Sequence, residues 1–364
     1  MKTISSKYNV ILLLLLLCSI SVSSQSFSKE GRVVRSFALA DDTEIEITNK
    51  YGDISVENWD IDSIKIEILY KVSATKKSKL DPVYDAINFD FKSNKYYIVA
   101  KTVFEGRGSF WFDVSEIAGN LFGGGITTSI DYTIYLPAKR NLKVNLKYGS
   151  IYMTDYAGYF NLTLSNGNFR AHNLTGTSIL NVDFGDVVVK EIVTGVVKIR
   201  YGTLELQKAK ELDLTGQSSE FDLGDVDRLT LDSKRDRISI EGVDLLIGSN
   251  YFTKLNVNEI TGKLELSTKY GSFKLNRIAS EVSAIQLTSY NTLVDFYFTD
   301  ENNYSIKLIS DSKADVSYSA KLGEFEVKEL PNKLKEAVCV HGNVGNAVPV
   351  NIETKSGVLT LKVR

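Results

Sequence analysis

Apolar and polar residues alternate through most of this chain, in short segments separated by glycine. The clearest segment runs from Val144 to Leu206, where glycines recur every 17 or 18 residues, at Gly149, Gly167, Gly185 and Gly202. On both sides of each glycine, every second residue is apolar, which predicts strands with one buried face. Short strands that recur at a fixed period predict an all-β repeat protein, whose units bury their apolar faces by stacking.

The apolar positions change parity at each glycine. Val144 and Leu146 stand at odd offsets before Gly149, whereas Ile151 and Met153 stand at even offsets after it. A strand can keep its apolar residues inside across such a change only by bending, and glycine tolerates a bend. We therefore expect a corner at each glycine. A second corner is expected about half a period later, at the markers Thr175-Gly176, Thr194-Gly195, Thr215-Gly216 and Thr261-Gly262.

Copies of the motif extend beyond the central segment. They begin at Tyr51-Gly52, Tyr270-Gly271, Leu322-Gly323 and Ser356-Gly357, and Tyr290-Asn291 is a variant with Asn in the glycine position. Between Gly202 and Gly271 the glycine is lost, but Phe221 and Ile238 keep the spacing. The repeat is therefore predicted to continue without a break through this stretch.

Outside the repeats, alternation predicts further strands at Arg32–Leu39, Glu44–Thr48, Ile64–Val72, Ala86–Phe91, Tyr96–Phe104 and Ser129–Leu136. Residues 74–128 interrupt the pattern, and we interpret them as an insertion or cap. It would begin with a polar loop at Lys76–Pro82 and contain a short helix near Glu116–Leu121. Its apolar residues Phe110, Trp111, Phe112 and Leu121 would cover exposed strand edges. A second short helix is predicted at Asn332–Ala337.

The chain opens like a secretory signal peptide, predicted to span residues 1–24. Lys2 and Lys7 precede an apolar run, Val10–Cys18, that is too short to cross a bilayer. Cys18 raises the question of a lipoprotein anchor, but the large Leu17 before it argues against one. Residues 25–143 are expected to form an N-terminal β region and residues 144–364 the repeats. The mature chain, which has no later membrane-spanning segment, is expected in the periplasm, at the cell surface or outside the cell.

Charge bears on the class of binding partner, and cysteine content bears on disulfide formation. The chain has 43 Lys and Arg against 45 Asp and Glu, a net charge of −2. The sequence displays no basic stripe, which argues against nucleic acid as a partner. After signal cleavage only Cys339 remains, so the mature chain forms no internal disulfide, and Cys339 is expected to be a small buried residue.

Several features together resemble a known family. They are the export signal, Tyr51-Gly52-Asp53-Ile54-Ser55-Val56, the strand ending in Tyr135-Leu136-Pro137, and the serial Tyr-Gly motifs. Over roughly residues 40–364 the chain is similar to a bacterial family of exported adhesin-like proteins with β-strand repeats, related to head-domain adhesin-like proteins of Bacteroidetes. The resemblance implies a right-handed, single-stranded parallel β-helix and offers no catalytic residues. The insertion at 74–128 and the missing glycines depart from the family pattern.

The sequence contains few candidates for catalytic, metal-binding or cofactor-binding residues. His172 and His341 stand alone, and the glycines, including Gly123-Gly124-Gly125, form no nucleotide-binding motif, so neither a metal nor a cofactor is predicted. The leading function is a non-enzymatic adhesin-like or scaffold protein that binds a surface glycan or protein along its flank. The alternative is a polysaccharide-cleaving enzyme on the same fold. Asp53 and Asp186 are candidate acids for it, and acids grouped with basic residues on one flank would favour it.

The residue before each motif glycine is usually aromatic, so a row of rings is expected along one edge. Tyr148, Tyr201, Tyr270 and Tyr290 are the candidate ligand-binding residues of this row. The rings could bind sugars or could simply stack on one another and stiffen the corners. Phe184 at the same position favours the structural interpretation, because it has no hydroxyl group to hold in water.

We predict that the mature protein contains little helix, because nearly every segment alternates. Far-ultraviolet circular dichroism should give a helical fraction far below the level of about one third that is ordinary for globular proteins. A fraction at that level would contradict the all-β prediction.

Overall fold

A computed structural model describes residues 26–105 and 125–364, and within them the protein is all-β. The N-terminal strands are β1 (Phe27–Ala38), β2 (Glu44–Lys50), β3 (Ile54–Asn58), β4 (Ser63–Ala74), β5 (Ile87–Ser93), β6 (Tyr97–Phe104), β7 (Ile126–Leu136), β8 (Leu142–Lys147), β9 (Ile151–Met153) and β10 (Phe160–Ser165). The central strands are β11 (Phe169–Asp183), β12 (Asp186–Arg200), β13 (Thr203–Gln217), β14 (Glu220–Lys234), β15 (Arg237–Tyr251) and β16 (Lys254–Lys269). The C-terminal strands are β17 (Ser272–Ile278), β18 (Ala284–Tyr290), β19 (Leu293–Phe298), β20 (Tyr304–Ser310), β21 (Asp315–Tyr318), β22 (Glu326–Leu330), β23 (Leu334–His341), β24 (Val348–Lys355) and β25 (Val358–Val363). The described helices are α1 (Lys77–Asp85) and 3-10 turns at Ala320–Leu322, Pro331–Lys333 and Val344–Asn346.

The central strands stack in parallel, each aligned with the next at the repeat spacing. Val187 lies opposite Leu204, and Leu204 lies opposite Phe221. We call each strand with the corner that follows it a rung. In the central strands the apolar residues predicted to face inward are buried, except the half-exposed Ala171, but Leu293 in the later Tyr290-Asn291 copy is 47% exposed. The predicted parity is therefore confirmed, and the core is a column of aligned apolar side chains.

Each long strand bends within its own length. In β13, Leu206, Ala209 and Leu212 are buried, and two exposed residues separate each from the next. The second glycine marker does not define these bends. Leu174, before Thr175-Gly176, aligns with Ile192, whereas Gly216 aligns with Ile199. The prediction that all four markers occupy one corner is therefore wrong, because the bends arise where two successive residues point outward.

The corner at the motif glycine has a different geometry from the one expected. The residue before the glycine is the left-handed one, with φ of 59° at Tyr148, 55° at Phe184 and 56° at Tyr201. The glycine is required for another reason. A Cβ on Gly167 would overlap the backbone carbonyl oxygen of Gly149 in the preceding rung, and Gly185 meets Gly167 in the same way. Glycine therefore permits the close approach of successive backbones rather than the bend itself.

Strand order is interleaved at both ends of the stack. The rung β2–β3 pairs on one side with β6 and β7 and on the other with β8 and β9. At the other end, β24–β25 pairs with β18 and β19 and also with β20 and β21. The copy predicted at Ser356-Gly357 is confirmed, because it joins β24 to β25 with Ser356 left-handed at φ 49°.

Two predictions near this end are wrong. Leu322-Gly323 does not begin a parallel rung, because β22 after it pairs antiparallel with β23, and β23 pairs antiparallel with β20. The helix predicted at Asn332–Ala337 is a 3-10 turn followed by β23. Strand pairing overrides the local helix propensity there. The antiparallel pair occupies the edge of β20, which would otherwise be open.

The chain divides into two compact units, and the stack belongs to the larger one, residues 32–69, 89–103 and 129–364. The smaller unit includes described residues 26–31, 70–88, 104–105 and 125–128. Within it, α1 replaces the polar loop predicted at Lys76–Pro82, which is wrong because buried Leu80 anchors a helix that continues past Pro82. The Tyr84 ring packs on Tyr70, with centroids 5.2 Å apart.

Strands predicted at Ala86–Phe91 and Tyr96–Phe104 are confirmed as β5 and β6. The predicted signal peptide, the helix near Glu116–Leu121 and the capping residues Phe110, Trp111, Phe112 and Leu121 lie outside the described residues. Among the residues that are described, no helix has the length and hydrophobicity needed to cross a bilayer.

The close approach at the corners leads to a stability prediction. Gly167→Ala should lower the free energy of unfolding by about 1–3 kcal/mol or more, because the new Cβ forces two backbones apart. Denaturant unfolding of both proteins measures the difference.

The matched control is Gly345→Ala, at an exposed turn where the nearest atom to a new Cβ is 3.5 Å away. Equal stability of the two variants would show that the corner glycines are dispensable.

Candidate binding groove

The left-handed residues of successive rungs form one line, which we call the corner row. Its members are Tyr51, Tyr148, Asn166, Phe184, Tyr201, Ser218, Arg235, Phe252, Tyr270, Asn291 and Ser356. Tyr148 and Tyr201 are 44% and 50% exposed, whereas Tyr270 is half-buried. Tyr290 is not a member, because Ser272 aligns with Leu293 and Asn291 therefore holds the position equivalent to Tyr270. Its predicted place in the row is wrong by one residue.

The aromatic residues of the corner row form stacked pairs rather than a continuous ladder. Tyr51 stacks on Tyr148 with centroids 5.4 Å apart, and Phe184 stacks on Tyr201 at 5.0 Å. Phe252 stacks on Tyr270 at 5.2 Å. These distances are close to the strand spacing, so the ring faces point along the stacking direction.

A groove lies where two successive corner positions carry no ring. Ser218 and Arg235 separate Tyr201 from Phe252, which places these two rings about 14 Å apart, three strand spacings. The opening has a volume of about 710 Å³. Phe184 covers one face of Tyr201 and Tyr270 covers one face of Phe252. Tyr201 and Phe252 both line the groove, and Tyr251 contacts the Phe252 ring edge-to-face, with centroids 4.5 Å apart.

The floor of the groove is polar and hydrogen-bonded. Here Ser219, Asp236 and Thr253 replace the motif glycine. Asp236 is only 4% exposed, and its carboxylate accepts hydrogen bonds from the Ser233 hydroxyl at 2.6 Å and the Ser219 N–H at 2.8 Å. A third comes from the Lys234 N–H at 3.0 Å. Burial raises the pKa of Asp236, although these hydrogen bonds act in the opposite direction.

The inward side chains at these corners are balanced by smaller residues nearby. Three residues before the motif position, earlier rungs carry large apolar residues such as Val182 and Ile199, but this position becomes Gly216, Ser233 and Asn250 beneath the groove. A Cβ on Gly216 would overlap the side chain of Asp236. Space and polarity are thus exchanged between neighbouring positions, although the side-chain nitrogen of Asn250 is buried without a hydrogen-bond partner among the described residues.

Charged residues stand on the rim of the groove. Glu220 lies 3.9 Å from Arg237, and Lys254 follows on the next strand. Asp186 accepts a hydrogen bond from the Thr203 hydroxyl at 2.7 Å. Acids and basic residues therefore occur together on this flank, as a polysaccharide-cleaving enzyme would require. The arrangement equally provides donors and acceptors for hydroxyl groups between two aromatic walls.

Ser218, Arg235 and Phe252 line the groove but were not among the binding residues predicted from the sequence. They follow Tyr201 at steps of 17 residues, so the persistent spacing could have found them. Of the four predicted site tyrosines, Tyr270 and Tyr290 are in contact, with centroids 5.3 Å apart. Tyr201 is separated from Tyr270 by the three corner positions of Ser218, Arg235 and Phe252.

Other candidate residues lie elsewhere. His172 Nδ1 is 2.9 Å from an Asp155 carboxylate oxygen, and His341 Nε2 is 3.6 Å from one of Asp300. The described residues contain no group of three or more side chains suited to a metal ion. Cys339 is buried as predicted, and burial raises its pKa.

A second, smaller depression of about 240 Å³ lies on β2, β6, β8 and β10. Tyr97 and Tyr159 stand on its outer strands, with Glu44 and Asn141 aligned between them. Like the groove between Tyr201 and Phe252, this depression has two aromatic residues on either side of two polar residues, but its volume is smaller.

Comparison with known proteins gives distant similarities only. No protein-family model and no curated protein matches the sequence. Among solved structures, a putative cell adhesion protein from Clostridium sporogenes is 11% identical over 92% of this chain and 100% of its own, with a TM-score of 0.20. A putative lipid binding protein from Parabacteroides distasonis is 9% identical over 91% of this chain and 97% of its own, at 0.27. A putative adhesin from Bacteroides fragilis is 12% identical over 92% and 97%, at 0.19.

Stacking predicts that Tyr201 stabilises the corner. Tyr201→Ala should lower the thermal midpoint more than Glu205→Ala, an exposed substitution on β13, the strand that follows this corner. The aromatic pair contributes about 0.5–1.5 kcal/mol beyond area burial. Identical midpoints for the two variants would mean that the ring stack adds no stability.

The raised pKa of Asp236 predicts a pH effect. The stabilising contribution of a carboxyl with a raised folded-state pKa is complete below its unfolded pKa, and it is lost as the pH rises through the folded value. Asp236→Asn should be less stable than the parent protein, since the amide cannot accept all three hydrogen bonds. Thermal unfolding should show a smaller gap between the two proteins at neutral pH than at acid pH, and a gap that widens toward neutral pH would refute this assignment.

Proposed function

We propose that this protein is an exported, non-enzymatic adhesin-like or scaffold protein that binds a surface polysaccharide. The binding site is the groove between Tyr201 and Phe252. The observation that supports this most strongly is the pairing of two aromatic walls, Tyr201 and Phe252, with a hydrogen-bonded polar floor. Sugar rings present apolar faces edged by hydroxyl groups, and such ligands fit between aromatic walls and fixed polar groups.

The rungs are proposed to wind into a right-handed, single-stranded β-helix, with residues 144–364 as its repeat region. Parallel strands that align at every step of 17 or 18 residues support this winding. Connections between parallel strands are right-handed in nearly all proteins. In such a helix the corners form a straight edge, to which a long polymer has access.

A polysaccharide-cleaving enzyme is the second candidate, and the rim supports it. Glu220, Arg237 and Lys254 lie on neighbouring strands beside the groove. Incubation with polygalacturonate distinguishes the two functions. New reducing ends or unsaturated products would identify an enzyme, whereas an intact polymer that stays bound supports the adhesin-like role.

The binding proposal predicts that Ser218→Tyr weakens glycan binding without unfolding the protein. The new ring would stack on Tyr201 and fill the groove, and φ of 53° at Ser218 matches that of the tyrosines in the row. Glycan-array signals and titration of the best glycan should show binding about tenfold weaker or more, as for a residue at the centre of an interface.

Asn166→Tyr is the matched control, because it fills the single gap between Tyr148 and Phe184, outside the groove. Both variants should keep the parent thermal midpoint or exceed it. Unchanged binding by a folded Ser218→Tyr variant would place the glycan site elsewhere.

A further inference from the structure

A row of basic residues runs beside the corner row. The strand register aligns the residues that immediately precede the corner row, and six Lys or Arg occur there against one Asp. This basic row consists of Lys50, Lys147, Ser165, Asp183, Arg200, Gln217, Lys234, Tyr251, Lys269, Tyr290 and Lys355. It extends over about 48 Å at the usual strand spacing. The expectation that the chain has no basic stripe is therefore wrong, because the repeat period brings together residues that are dispersed in the sequence.

Few of these charges are neutralised by neighbours. Arg200 binds Asp183 through two nitrogens, and Lys355 lies 2.8 Å from Glu353. No carboxylate among the described residues forms an ion pair with Lys147, Lys234 or Lys269.

Lys50 is affected by the row itself. Burial, and then the like charge of Lys147, lower its pKa. The row is thus an accumulation of positive charge on a chain whose net charge is −2.

The rows on either side do not cancel this field. The next outward row contains one lysine and two acids, Lys198, Asp232 and Glu353, among neutral residues. The row after the corner contains three acids and two basic residues, namely Asp53, Asp186, Glu220, Arg237 and Lys254. Four of these, Asp186, Glu220, Arg237 and Lys254, form the rim of the groove, so the basic row passes directly beside it.

We infer that the ligand is an acidic polysaccharide, which lies along the basic row and places one sugar in the groove. This inference rests on the proposed function and adds the chemical class of the ligand. Carboxylate or sulfate groups would face the unpaired lysines, and the strand spacing is comparable to the length of one sugar residue in an extended chain.

The aromatic residues favour a polysaccharide over a nucleic acid. Single-stranded nucleic acids bind by stacking successive bases on successive aromatic faces. Here the rings of the corner row stack in separate pairs, and Asn166, Ser218 and Arg235 interrupt the row between them. Separate pairs suit a polymer in which an occasional sugar contacts a ring while its charges follow the lysines.

The test compares polygalacturonate with its fully methyl-esterified form, which has the same backbone without charge. Binding by biolayer interferometry should be strong for the acid form, weak for the ester, and lost as salt concentration rises. The double variant Lys234→Gln/Lys269→Gln should bind the acid form roughly tenfold more weakly. Lys208→Gln/Lys210→Gln, on another exposed part of the rung, should bind like the parent protein.

Each outcome bears on a different proposal. Equal binding of acid and ester forms, with Ser218→Tyr still inhibitory, would overturn the acidic ligand but keep the groove. Binding of neither form by a folded protein, alongside tight binding of single-stranded DNA, would overturn both. Circular dichroism on every variant confirms that a loss of binding is not a loss of fold.

Discussion

The structure depends on how closely one backbone corner can lie on the next. At each corner a left-handed residue turns the chain, and the following position faces the carbonyl group of the rung beneath. Glycine fills this position at Gly149, Gly167, Gly185 and Gly202, where a Cβ would overlap the carbonyl oxygen of the preceding rung. Because every rung repeats this contact, strand register is fixed, and the apolar positions of successive rungs coincide in one core.

The candidate site lies where this rule is relaxed. At Ser219, Asp236 and Thr253 a polar side chain points inward, and Gly216 and Ser233 make room for it or bond to it. At the first two of these rungs the corner residue is not aromatic, which leaves Ser218 and Arg235 between Tyr201 and Phe252. The candidate groove and a buried hydrogen-bond network therefore share one interruption of the repeat.

Much of this fold follows from sequence period alone, because a period of two sets the buried face and a period of 17 sets the rung. That information located Phe221 and Ile238 correctly. It could not show whether Gly167 is needed for a left-handed backbone conformation or for the close approach of two backbones, since both favour glycine. It also misplaced Tyr290, which is in register with Lys269 and therefore stands one position before the corner residue Asn291. The sequence did not indicate the basic row, because its members, such as Lys147 and Lys269, are far apart in sequence. Only the stacking of the rungs brings them onto one edge.

The most direct measurement is a crystal structure of the protein with an oligogalacturonide. The account predicts one sugar ring between Tyr201 and Phe252, with the acidic groups of the remaining sugars facing Lys234 and Lys269. An oligosaccharide bound instead in the depression between Tyr97 and Tyr159, with the groove empty, would contradict it.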